Sequence, residues 1–222
     1  MAFLPKFLYL IRSTFKIFIV PYFLLGLFAD LKLSKNDIKR IENKMLLIEP
    51  LIEEHIVIDK MIQLMENEIE KMKKFNKANP LFVDTAVDFI KIYAHKTHHG
   101  KEEHILFRDL EKKELSPNHS KILEALKQDH VWERITVEKL VEAKNQYGKG
   151  NKDILNEIIS VMSELVNFYP DHLKKEDKHF FIPVMSYFTI EEQNKMLQEF
   201  WDYDKTLIHE RYKQIIENLQ NK

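Results

Sequence analysis

The sequence predicts an all-α protein: an up-down-up-down four-helix bundle with an extra C-terminal helix and an apolar N-terminal extension. Three observations carry this. Hardly any segment alternates apolar and polar residues with period two, while apolar residues recur at helical spacing between sharp stops. Only 4 Gly and 7 Pro among 222 residues leave little room for the many tight turns of a β-sandwich. The segments between the helical stretches are short, which makes consecutive helices antiparallel neighbours.

Residues 1–44 read as an apolar extension and linker, and residues 45–222 as the bundle with its last helix. The stretch 1–30 is rich in Phe, Leu and Ile, with Lys6, Arg12 and Lys16 its only basic residues. Its uninterrupted apolar part, residues 17–29, holds 13 residues and includes Pro21 and Gly26, whereas a spanning helix needs about 20. Three readings compete: a signal or membrane anchor, an interfacial helix, or sequence upstream of a true start, for which Met45 is a natural candidate. Leu27 and Ala29 make a poor small-x-small cleavage site.

The first bundle helix is expected over residues 50–75, opened by Pro50 and stopped by Asn79-Pro80. The second runs over 82–113. Ser116 then serves as N-cap, with Pro117 at the first helical position, for a third helix over 117–147 that ends at Gly148-Lys149-Gly150. The fourth is expected over 152–187 with a kink at Pro170. Thr189-Ile190-Glu191-Glu192 is a capping box that opens a fifth helix reaching to about residue 219.

Composition excludes several functions. Lys+Arg at 34 against Asp+Glu at 35, a net charge of -1, argues against a protein built to coat nucleic acid. Zero Cys excludes disulfides, thiolate metal sites, iron–sulfur clusters and cysteine nucleophiles, and fits a reducing, cytoplasmic compartment. There is no Gly-rich phosphate loop, no Gly-x-Ser-x-Gly elbow and no His-Glu-x-x-His motif. Lysine clusters at 71–77 and 112–113 sit at helix ends, where cations favour the dipole.

The 10 His residues are the distinctive feature. At about 100° per residue, His55 shares a stripe with Leu51, Ile58 and Ile69, and His98 with Val87, Ala94 and Ile105. His130 lies among Leu123, Leu126, Val137 and Val141, and His172 among Val161, Leu165 and Phe168. A single inward His is most simply a hydrogen-bonded core residue. Four converging from four helices need something to satisfy them, because an unpaired buried polar group costs a few kcal/mol. Two of them begin a His-x-x-x-Glu pair, His98–Glu102 and His172–Glu176, which places imidazole and carboxylate on one helix face. Buried carboxylates need a compensating cation. Four imidazoles and two bridging carboxylates suit two first-row metal ions, iron above all.

These residues lie in segments that resemble the hemerythrin-like (HHE cation-binding) family. The resemblance rests on Leu51-Ile52-Glu53-Glu54-His55, on His98-His99-Gly100-Lys101-Glu102-Glu103-His104-Ile105-Leu106-Phe107 and on Gln128-Asp129-His130. It continues through Tyr169-Pro170-Asp171-His172, Glu176 and His179-Phe180-Phe181-Ile182-Pro183. It implies a four-helix bundle holding two Fe ions, a non-haem di-iron centre with an oxo bridge. By that resemblance the metal ligands fall on His55, His98, Glu102, His130, His172 and Glu176, with Glu102 and Glu176 bridging. One departure stands out. The family's oxygen carriers place a second His one turn after that of the third helix, where this chain has Arg134, and end with His-x-x-x-x-Asp, where it has His172-x-x-x-Glu176. The resemblance is therefore closer to the iron-cluster-repair and sensory branches, with an open coordination position for O2, NO, peroxide or water.

The other His residues are weighed singly. His99 and His104 point away from the inward direction and are expected at the rim. His179, three residues after Glu176, is a weaker candidate for a ligand or a supporting donor. His95 is expected to hydrogen-bond behind the ligands, Asp59 to hold the His55 ring, and Arg134 to pair with Glu102 or Glu176. His119 and His209 read as surface residues, Glu210 and Tyr212 beside the latter being able to cap the bundle. The aromatic residues of the last two helices read as packing. Three functions follow as expectations: a di-iron protein binding O2, peroxide or NO for sensing, storage or defence; a di-iron redox enzyme reducing peroxide or NO or repairing iron clusters; or a membrane-tethered structural bundle.

Overall fold

The computed structural model describes residues 47–220, with side chains to residue 207. The extension, Met45 and the group His209, Glu210 and Tyr212 lie outside the residues so described. Helix α1 spans Glu49–Phe75, with Pro50 in its first turn, and closes on Asn76 in the left-handed conformation (φ 47°). The second rod is continuous over residues 80–110 and is α2 here. It begins as α-helix Pro80–Phe89, widens into π-helix over Ile90–His99 and again over Glu102–Phe107, and ends with Arg108–Leu110. Asn79 caps it, its side chain accepting from the Phe82 amide. Helix α3 is Pro117–Gly148, capped by Ser116 as its Ser-Pro start predicts. Helix α4 is Leu155–His179, and α5 is Ile190–Gln220. The Thr189 capping box is fully formed: the Glu192 amide donates to Thr189 Oγ1, and the Thr189 amide to the Glu192 carboxylate.

Among the described residues the fold class is the one the sequence predicts, an all-α, five-helix arrangement. Helix α1 packs against α2 and α4, α3 packs against the same two, and α5 lies on the π-helical part of α2. Every expected boundary is met within three residues except one. The fourth helix stops at His179 rather than near 187, with Phe180 breaking it (φ -123°, ψ -64°), and short turns Phe181–Val184 and Met185–Tyr187 follow. Pro183 explains this, because its ring would clash with the carbonyl of residue 179 in a continued helix. Pro170, by contrast, is accommodated inside α4.

The apolar interior forms two clusters. One collects Ile58, Met65, Met72, Val87, Leu140, Met162 and Leu165 from the four bundle helices. The other collects Leu47, Leu51, Phe107, Leu126, Phe180, Phe181 and Phe200, and so includes α5. Between them, along every bundle helix, lies a layer of buried polar residues: His55, His98, His99, Glu102, His130, Glu133, His172 and Glu176. No helix among the described residues is long and apolar enough to cross a membrane.

Candidate metal centre

The inward stripes bring the four predicted imidazoles and two predicted carboxylates into one layer. His55 Nε2 lies 2.8 Å from His98 Nε2 and 3.2 Å from Glu176 Oε2. Glu102 Oε2 is 3.7 Å from His98 Nε2 and 3.4 Å from His130 Nε2. Glu176 Oε1 is 3.5 Å from His172 Nε2 and 3.7 Å from His130 Nε2. His55, His98, Glu102 and Glu176 place one ligand-type atom each within 4.8 Å of one another, and His99, His130 and His172 do the same. The two carboxylates thus stand between two sets of imidazoles.

A second ring of acids fixes how those imidazoles face. Glu54 on α1 receives His98 Nδ1 of α2 at 3.0 Å, and Glu103 on α2 receives His130 Nδ1 of α3 at 2.7 Å. Asp129 on α3 meets His172 Nδ1 of α4 at 3.3 Å, and Asp177 on α4 receives His55 Nδ1 of α1 at 2.8 Å, which closes the circle. Each acid is the chain neighbour of an inward residue: Glu54 of His55, Glu103 of Glu102, Asp129 of His130, Asp177 of Glu176. With Nδ1 committed as the donor, the lone pair of a neutral ring sits on Nε2 and points inward, the tautomer a metal needs.

The two carboxyls of the layer are pushed in opposite directions. Burial, reinforced by the charge of Glu176, pushes the Glu102 carboxyl well above its ordinary range. Burial acts on Glu176 too, but His172, His130 and His55 around it outweigh that and hold it well below. Burial and the neighbouring His55 keep His98 neutral by pushing it well below its usual value. Burial opposes protonation of His55, yet the hydrogen bond to Asp177 and the adjacent negative charge of Glu176 prevail and raise it to about 9. Both oxygens of Glu102 and of Glu176, and Nε2 of His130 and His172, are buried without a hydrogen-bond partner. Leaving that many polar atoms dry and unpaired costs roughly 1–3 kcal/mol each. Divalent cations held by carboxylate oxygen and imidazole nitrogen remove the cost, so the donor set fits metal ions.

Several expectations are corrected. His99, expected at the rim, is 1% exposed and stacks on His130 with ring centroids 3.8 Å apart. The cause is the π-helix at Ile90–His99: closing i to i+5 turns the chain less per residue than an α-helix, so His98 and His99 both face inward. Thr97 Oγ1 reaches back five residues to the Ile92 carbonyl in the same widened turn. Asp59 does not hold His55; it is exposed and accepts from Gln63, while Asp177 takes the His55 ring. Arg134 pairs with Glu103 rather than with Glu102 or Glu176. His179 is exposed and stands apart from the layer, since the helix ends there. His104 is exposed as expected, and His119 is half-buried, bonded to the Tyr187 hydroxyl. Glu133 went unnoticed in the sequence, although it follows His130 by three residues, a same-face spacing. It is fully buried, and Tyr169 donates to it.

A four-helix bundle with a buried layer of His and Glu on its inner faces defines a class of metal-binding helical proteins. Within that class the chain belongs to the hemerythrin family: the Hemerythrin HHE cation binding domain matches residues 46–182. No curated protein and no solved structure matches the chain. Helix α5 lies beyond the matched residues.

Proposed function

We propose that the protein is a non-haem di-iron protein of hemerythrin type that binds O2 or a related small oxidant, or NO, in sensing, storage or stress defence. His55, His98, Glu102, His130, His172 and Glu176 would hold the two irons, with Glu102 and Glu176 as the carboxylates that would be shared between them and His99 as a further imidazole. The observation that carries this reading is the pair of fully buried carboxylates, every oxygen unpartnered, standing between two sets of imidazoles. When bound, iron supplies redox chemistry and a position for a diatomic ligand. The chain supplies orientation and dryness. The acid circle keeps each Nε2 aimed inward, while Phe181 stacks on His55, Phe168 on His172 and Phe107 on His130. Those rings exclude water and so strengthen every charge interaction inside. The absence of Cys agrees with a cytoplasmic setting, and residues 1–30 offer a membrane contact.

The test is metal content together with turnover. The wild-type chain should carry two irons, and Glu176→Ala should lose at least one; a variant that keeps both contradicts the bridge. Exposed to O2 or NO with a reductant present, the loaded protein should form one stoichiometric adduct. Sustained consumption of the oxidant would instead make it a redox enzyme, and a thermal stability indifferent to metal would make it a structural bundle.

A further inference from the structure

The acid circle has one exception. The Nδ1 atoms of His55, His98, His130 and His172 each meet a carboxylate oxygen at 2.8, 3.0, 2.7 and 3.3 Å. His99 is as deeply buried as they are, yet neither of its ring nitrogens has a hydrogen-bond partner. The nearest acid, Glu133, has its Oε2 3.6 Å from His99 Nδ1, too far for a hydrogen bond. That same oxygen lies 2.6 Å from His95 Nε2, and yet both atoms are without a hydrogen bond. An imidazole nitrogen and a carboxylate oxygen so close, but not aligned as donor and acceptor, are disposed like two ligands of one ion. The three side chains place their ligand-type atoms within 4.8 Å of one another. Glu133 is held in place from behind, its other oxygen accepting from the buried Tyr169 hydroxyl. His95 and His99 stack 5.8 Å apart, nearly parallel at 19°, on the same π-helical segment.

We propose that His95, His99 and Glu133 form a third cation position, for a divalent first-row transition ion, beside the two-metal layer. One carboxylate and two imidazoles are borderline ligands of the kind that Fe2+, Co2+ and Zn2+ share, and a His99 ring that serves an ion on each nitrogen would release its N–H proton to solvent and bridge as imidazolate. His99 belongs both to this group and to the group of His130 and His172. The position is therefore joined to the layer through one ring. Its other face differs from the layer: the His95 side chain is 11% exposed, whereas Glu133 is fully buried. A cation arriving from solvent meets His95 first, then Glu133 and His99, and then the interior. This makes the position a staging site for ions entering the layer, a role separate from whatever ligand the two-metal centre takes.

Anaerobic titration of the full chain with Co2+ alone, read by calorimetry, metal analysis and the visible cobalt spectrum, tests this. Wild type should take up three ions per chain, and His95→Ala and Glu133→Gln should each take up two, with loading of the layer slowed. Because His95 is partly exposed and is not among the residues assigned to the layer, its variant keeps the test decisive even if Glu133→Gln does not fold. Two ions in wild type and two in His95→Ala overturn the third position and leave the two-metal reading standing. Two in wild type and one in the variants also overturn it, by making His95 and Glu133 ligands of the centre itself. No uptake by wild type overturns both readings.

Discussion

Asp177 illustrates how much of this centre depends on residues that would touch no metal. Its carboxylate receives His55 Nδ1 and nothing in α1 replaces it. Removing such a partner ordinarily costs 10–100-fold in metal affinity. Asp177→Asn should therefore weaken iron binding by roughly that factor, measured by competition with a chelator, while the helical content stays unchanged. Unchanged affinity would show that the ring is held by packing on Phe181 alone. Glu103 supports a prediction in pH. Burial pushes its carboxyl up, but hydrogen bonds from His130 and Arg134 outweigh this and bring it from 4.5 to about 2. A carboxyl depressed on folding adds stability that is complete above its unfolded value and disappears as pH falls through its folded one. The stability gap between wild type and Glu103→Gln should be full above about pH 4.5 and shrink towards pH 2 in urea titrations. A gap independent of pH would contradict the pairing.

At the scale of helices, the legible and the illegible separate for a physical reason. His55, His130 and His172 sit on regular α-helix, where 100° per residue holds, and their burial follows from counting. His98 and Glu102 were legible as a pair because both lie inward whichever local helix form connects them. His99 was not, because its position depends on a π-helical turn whose cost is offset by tertiary contacts that no propensity records. The end of α4 at His179 was written in Pro183, three residues past the break. The C-terminal helix was legible from its capping box, but its attachment was not. It meets α2 at Gly100, where an added Cβ would stand 2.2 Å from Tyr203 Oη and 2.8 Å from the ring carbon bearing it. Beside that contact the fully buried Lys101 pairs with Asp204 of α5 and with Glu54 of α1. Glu54 also holds His98, so the last helix touches the centre through two side chains. Gly100→Ala should force the Tyr203 ring away and destabilise the protein by about 1–3 kcal/mol, the usual cost of overpacking. Faster proteolysis within α5 and a lower melting temperature would show it; an unchanged melting temperature would mean the ring swings aside freely.

At the scale of the whole molecule, two apolar clusters among the described residues flank the buried polar layer. The ligand-type atoms of the layer arrive from four separate helices, so their spacing is set by packing rather than by any local sequence. This is why the two His-x-x-x-Glu pairs could point to inward residues of the layer while the acid circle, assembled from chain neighbours on successive helices, emerged only in three dimensions. The measurement closest to the central claim is anaerobic reconstitution of the chain with ferrous iron, with iron content and optical spectrum recorded before and after air is admitted. Two tightly held irons per chain, nearly colourless at first and then developing ferric charge-transfer absorption, is the result expected. A protein that emerges from the same treatment without iron, or whose spectrum does not change in air, would contradict it.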